Sequence, residues 1–248
     1  MIRRTRLAAA LSLLIGSLAL AAPAGAAKHA AVARASKPAR SAEAVRFDQL
    51  LRRETRERFA ANPSFATYMG VHDYDTQLEN TSRVAIDAEA ASIRRALKEL
   101  GAIDTAKLDA ATRIDYDLYD ADLQGRLYRL TELRPWEKDP GTYGYGFAID
   151  NLIARNFAPP ATRLRAVIAR LRLVPRQLAN GRANVKNPAE LIARFSAEDL
   201  ETLVDYLNRD VPRAFPTVKD KALWKQYDAA KLGAQTATRA YVKWIREE

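Results

Sequence analysis

The sequence contains no cysteine. Disulfide bridges are therefore excluded, and so is a lipid anchor on a cysteine. An exported chain of this kind is held together by its core alone. Histidine is almost as scarce. Only His29 and His72 occur, and His29 lies in a low-complexity stretch where it receives no role. One histidine and no thiol cannot close the usual three- or four-ligand zinc shell within one chain. Strand signals are also few. No sustained alternation of β-branched and polar residues is present, and no Asn-Gly pair joins two apolar runs. No glycine loop is followed by Gly-Lys-Ser or Gly-Lys-Thr, and no serine sits in a G-x-S-x-G elbow. Phosphate-loop and serine-hydrolase chemistry therefore have no support.

The N-terminus accounts for most of the charge. Arg3, Arg4 and Arg6 precede an apolar run from Leu7 to Ala22, too short for a membrane span, and Ala24-Gly25-Ala26 fits a small-x-small cleavage site. Residues 1–27 read as a secretory signal, which places the mature chain in the periplasm or outside the cell, with no membrane contact after cleavage. Residues 28–42, rich in Ala, Lys, Arg and Pro, read as a disordered linker. The formal net charge of +10 looks like a nucleic-acid footprint. However, eight of the 40 basic and one of the 30 acidic side chains fall within residues 1–46. The rest is nearly balanced, with both signs mixed along helices, which argues for a solvated surface and against a nucleic-acid partner.

From residue 43 onward the periodicity is helical, and the fold class expected is all-α: an antiparallel helical array with short connections. Phe47, Leu50 and Leu51 mark one helix face. Asn62 reads as an N-cap, Pro63 as the first residue of a short helix, and Gly70 as its left-handed stop. Ile86, Ala90, Ile93 and Leu97 mark the next helix. Residues 109–133 carry two apolar stripes. Tyr116, Tyr119, Leu123, Leu127 and Leu130 form one; Ile114, Leu118 and Ala121 form the other. Such a helix is expected inside a bundle. A helix from Ala161 should be kinked at Pro175 and end at Asn180-Gly181. Asn187-Pro188 should open the next, closed by Pro212 and Pro216. The last begins near Lys219 and carries Leu223, Tyr227, Leu232, Tyr241, Trp244 and Ile245. So many large apolar groups suggest that Trp244 and its neighbours are partly exposed.

His72, Asp73, Tyr74 and Asp75, with Glu79, are the most function-like group, either a polar turn or a contact for substrate or cation. Tyr143-Gly144-Tyr145-Gly146-Phe147 offers a second candidate. Its glycines allow close backbone approach and Tyr143 and Tyr145 offer stacking area, in a loop that either covers the core or faces a ligand. Asp115, Asp117, Asp120 and Asp122 lack the turning glycine of a calcium loop and read as helix surface, with Asp117 and Asp120 sharing a face. Arg163, Arg165, Arg170, Arg172 and Arg176 read as a wet helix face. No residue is assigned as catalytic or as a metal ligand.

The order and spacing of several pieces resemble a bacterial family, domain of unknown function 885 (DUF885). These are Phe47-Asp48, the run Asn62-Pro63-Ser64-Phe65-Ala66-Thr67-Tyr68-Met69-Gly70, His72-Asp73-Tyr74-Asp75 and Thr81-Ser82. Arg113 to Leu118 (R-x-D-Y-D-L) and Arg170 to Leu178 (R-L-x-x-V-P-x-x-L) are similar too. The resemblance implies an exported, largely helical protein related to zinc peptidases, the N-terminal half of a zincin-like fold. The metal motif of such proteins, H-E-x-x-P-G-H, lies in a C-terminal half, and this sequence contains no such motif. The chain is then expected to be a truncated portion, not catalytic by itself. Zinc would belong to the full-length protein, the missing catalytic half would be the partner, and the substrate would be a peptide or small molecule. The alternative is a complete periplasmic module that binds a ligand or a protein.

Overall fold

The structure, a computed structural model, describes residues 40–247. The expected secretory signal, His29 and most of the linker lie outside the described residues. Ser41 caps the first helix through its hydroxyl, so that helix starts one residue before the expected boundary at 43. The helices are α1 (Ala42–Ala61), α2 (Pro63–Tyr68), α3 (Arg83–Leu100), α4 (Ala110–Tyr128), α5 (Pro135–Lys138), α6 (Gly146–Ile153), α7 (Pro160–Asn184), α8 (Glu190–Ala214) and α9 (Lys221–Glu247). Among the described residues there is no strand, and no helix is long and apolar enough to cross a membrane. The fold is all-α.

Side-chain contacts give the helix directions. Arg53 meets Glu99, Glu57 meets Ser92 and Asn62 meets Glu89, so α1 and α3 are antiparallel. Tyr227 bonds to Leu207, Gln235 to Val204 and Arg246 to Glu201, so α8 and α9 are antiparallel too. Helices once removed run parallel. Arg172 reaches Gln226 and Arg182 reaches Trp244, which aligns α7 with α9. The result is two up-down-up triplets, as short connections dictate. The α1, α3 and α4 triplet encloses a small core around Phe47, Leu50, Ile93, Leu100 and Leu123. The α7, α8 and α9 triplet, with α5 and α6, encloses a larger one around Tyr143, Tyr145, Leu164, Leu171, Leu207, Tyr227 and Tyr241.

Several expectations need correction. The second stripe of α4 does not face the interior: Ile114 and Leu118 are 61% and 66% exposed. Only the stripe containing Leu123 packs, because α1 and α3 both lie on that side. Helix α4 passes through a π turn, Arg129–Leu133, and stops where Arg134 adopts a left-handed φ of 47° before Pro135. Pro63 opens α2 as expected, but the Asn62 side chain does not cap it. Its amide instead donates to the Arg58 carbonyl and to Glu89. Gly70 has a φ of 84°, the left-handed value expected.

Helix α7 runs through Pro175 and beyond Gly181 to Asn184. Gly181 is not a stop. A Cβ there would fall 2.6 Å from Tyr241 Oη and 2.7 Å from Tyr143 Cγ. The position is small because two rings press against it. Helix α8 starts at Glu190, after Asn187 at φ 46°, and passes Pro212 before ending at Ala214. The largest correction concerns α9. Trp244 and its neighbours are not exposed: Leu223, Tyr227, Tyr241, Trp244 and Ile245 are all buried against α7 and α8, and of the six apolar residues named on this helix only Leu232 is exposed. Its five inward groups fit because α9 has neighbours on two sides.

Candidate functional site

Helix α7 positions the site. Arg163, Arg170, Gln177 and Asn184 recur every seven residues, and all four are buried. At 3.6 residues per turn this spacing keeps them on one slowly drifting stripe. Each donates to backbone carbonyls of the loops and short helices packed against α7. Arg163 donates to Leu152, Ile153 and Ala158. Arg170 donates to Gln77, Ala148 and Pro63. Gln177 donates to Tyr143 and Gly144, and Asn184 to Thr81. The wet arginine face expected on α7 is therefore split: Arg165, Arg172 and Arg176 are exposed, whereas Arg163 and Arg170 are inside.

Arg170 carries this order to the function-like turn. Its Nη2 donates to Thr67 Oγ1 at 2.6 Å. Thr67 has one proton, and its closest acceptor is Asp75 Oδ1 at 2.7 Å. Asp75 in turn accepts from His72 Nδ1 at 3.1 Å. The His72 ring stacks on Phe157 with centroids 3.7 Å apart and planes 10° from parallel. Glu79 completes the turn, accepting from both the backbone N–H and the hydroxyl of Ser64 at 2.9 Å. Burial lowers the Arg170 pKa, while the charges of Glu79 and Asp75 oppose that shift. A buried cation, a hydroxyl, one carboxylate and an exposed imidazole thus form one connected chain, with the Glu79 carboxylate held on Ser64 beside it. It fixes an imidazole–carboxylate pair at the surface, a geometry suited to holding a polar ligand or moving a proton.

The structure does not bring all the sequence candidates together. His72 and Asp75 are joined. Asp73 and Tyr74 sit in the same turn but make no side-chain hydrogen bond among the described residues. Tyr143 and Tyr145 lie in the larger core, fully buried, and do not line a ligand loop. The Tyr143 hydroxyl donates to the Trp136 carbonyl. Thr238 gives its proton to the Ala234 carbonyl, so Tyr145 is the donor in the 2.9 Å contact between their hydroxyls. Burial pushes the Tyr143 phenol up to about 12, and Tyr145 also upward. Asp115 and Asp117 are exposed on α4, Asp120 accepts from Gln124, and Asp122 pairs with Arg58. The residues that sequence reasoning missed are Arg170 and Thr67. The seven-residue recurrence of polar groups within an apolar stripe was the available signal.

The sequence model of the family described as "Bacterial protein of unknown function (DUF885)" matches residues 63–248. The chain belongs to this family. Within DUF885 the match starts at Pro63, so it includes α2, the His72 turn and the α7 stripe. No curated protein matches the sequence. Among solved structures, one from Shewanella oneidensis, named "putative lipoprotein of unknown function", superposes with a TM-score of 0.74 at 22% identity. The superposition covers 81% of this chain and 37% of that one. At that identity the likeness concerns the fold, and the chain spans little more than a third of the other protein's length.

Proposed function

We propose that this DUF885 chain is the helical N-terminal portion of a larger exported protein of the zinc-dependent peptidase or hydrolase type. On this reading it works in the periplasm or outside the cell, and it supports or binds rather than cleaves. One observation carries the reading: a close superposition over most of this chain that accounts for only 37% of the Shewanella protein. A fold that continues in a relative has a natural place for the rest of a catalytic site. The residues present here do not fit a zinc centre themselves. Among the described residues, no three His, Cys, Asp or Glu side chains converge as ligands would. The His72–Asp75 pair then contributes a substrate contact from one edge of a site completed elsewhere, with a peptide or small molecule as substrate.

The test is to read the DNA downstream of codon 248 in all frames for H-E-x-x-P-G-H, and to express the joined chain beside the present one. The joined chain is expected to hold zinc stoichiometrically, and residues 43–248 only weakly, by calorimetric titration. Absence of such a reading frame, or a submicromolar zinc site in residues 43–248, overturns the proposal. A second reading, a self-standing binding module, is favoured by the docking of α9, with Tyr241 and Trp244 covered by α7 and α8. A monomer with blue-shifted Trp244 emission, in a Trp136→Phe, Trp224→Phe background, and no reading frame downstream would select it.

A further inference from the structure

Glu54 is the one buried acid of the described residues, 3% exposed in the middle of α1. Among those residues it has neither a hydrogen-bond partner nor an ion-pair partner. A buried carboxylate in a native protein is ordinarily paired, because leaving it unpaired costs several times what an exposed acid costs. Its side chain borders a cavity of about 270 Å³ between α1, α3 and α4. The same cavity is bordered by Glu57, Glu89, Arg58, Arg95 and Arg126.

The occupied and free groups differ. Glu57 accepts from Ser92, Glu89 from Asn62, and Arg58 donates to Asp122 at 3.1 Å. Arg95 makes no ion pair among the described residues. Arg126 approaches Glu89 and Asp122 only to 3.6 Å, and its Nη1 is buried without a hydrogen bond. The Tyr119 hydroxyl is likewise buried and unpartnered. What is left over is therefore the Glu54 carboxylate of α1 and the Arg126 guanidinium of α4, with the exposed Arg95 of α3 at the same cavity.

We propose that this cavity binds a small zwitterion of the free amino-acid type, its ammonium held by Glu54 and its carboxylate by Arg126 and Arg95. A lone cation would leave the arginines without an acceptor, and a lone anion would leave Glu54 without a donor. A ligand carrying both charges a few ångström apart satisfies Glu54 and Arg126 Nη1 together, and the exposed Arg95 can close over its carboxylate. The volume suits a molecule of that size. Burial raises the Glu54 pKa, with Glu57 adding to the effect while Arg126, Arg53 and Arg95 oppose it. An arriving ammonium restores the charged carboxylate, so the unliganded fold keeps a group that is uncomfortable without a ligand. This inference is independent of any catalytic half, and it stands or falls separately from the reading above.

The experiment is calorimetric titration of the exported full chain with L-alanine and L-glutamine, beside propylamine and propionate as single-charge controls. Saturable binding of an amino acid, with both controls at least tenfold weaker, is expected. Glu54→Gln should weaken it at least tenfold without lowering Tm, and Arg95→Met should weaken it while leaving the fold intact. Failure of both amino acids to bind at millimolar concentration, equal binding of either control, or unchanged affinity in Glu54→Gln overturns the proposal.

Discussion

In the larger core, Tyr143, Tyr145, Tyr227 and Tyr241 each place a buried hydroxyl on an acceptor. In the smaller core, Tyr116 reaches the Leu100 carbonyl at 3.1 Å, but the Tyr119 hydroxyl and the Glu54 carboxylate have no hydrogen-bond partner among the described residues. Both regions are three-helix packings from one chain, so the difference is not one of architecture. The α7 stripe uses buried polar groups as donors to the carbonyls of the loops and short helices packed against it. There polarity specifies the fold; only Gln177 Oε1 is without a donor. The α1 and α4 faces also bury Glu54 and the Tyr119 hydroxyl, which satisfy nothing among the described residues, the pattern of a site kept for a ligand.

The sharpest break of the larger core is Arg170→Met. It leaves the Pro63, Gln77 and Ala148 carbonyls and the Thr67 hydroxyl without their donor. A loss of about 3–5 kcal/mol in urea unfolding is expected, the range for removing one member of a buried charged network. The same variant should loosen the His72 turn, seen as faster amide exchange across residues 71–79.

How far the sequence disclosed this contrast depends on the residue type. Helix positions were legible because Ile86, Ala90, Ile93 and Leu97 repeat at helical spacing and Pro63 and Gly70 punctuate the chain. The family was legible from the order of short polar pieces around His72. What failed was the sidedness of charged and mixed helices. Arg163 and Arg170 are indistinguishable in composition from Arg165 and Arg172, and only the carbonyls they meet, 5 to 107 positions away in sequence, pull them inward. Ile114 and Leu118 look like core and are not, since no helix covers that face. The fit of α9 depended on two neighbours that no local pattern reveals. Glu54 sits among arginines and glutamates on α1, where nothing sets it apart.

A second break tests packing in the larger core. Gly181→Ala pushes a methyl group into Tyr241 and Tyr143 and should cost about 1–3 kcal/mol, read as a lower urea midpoint with unchanged m-value.

Alkaline titration probes the same tyrosines. Burial raises the Tyr143 phenol from its ordinary value near 10 to about 12. Above pH 10 the unfolded chain loses this proton and the folded chain keeps it, so the unfolded state binds fewer protons and stability falls as pH rises. The stabilisation is complete below about pH 10 and is lost between about 10 and 12, at up to ~1.4 kcal/mol per pH unit for each such tyrosine. Tyr143→Phe should flatten that slope in urea unfolding followed against pH.

The smaller core should respond weakly where the larger one responds strongly. Ile114→Lys with Leu118→Lys, on the uncovered face of α4, should change stability by no more than about 0.5 kcal/mol. A larger loss would mean that this face is covered in solution, which a sedimentation measurement would detect.

The most direct test of the contrast is the stability of Glu54→Gln at pH 7. Glutamine keeps the shape and removes the unpaired charge. A raised urea midpoint, opposite in sign to Arg170→Met, is the result expected if Glu54 does not serve the fold. A clear destabilisation would show that Glu54 is a structural partner like Arg170, and would remove the difference between the two cores.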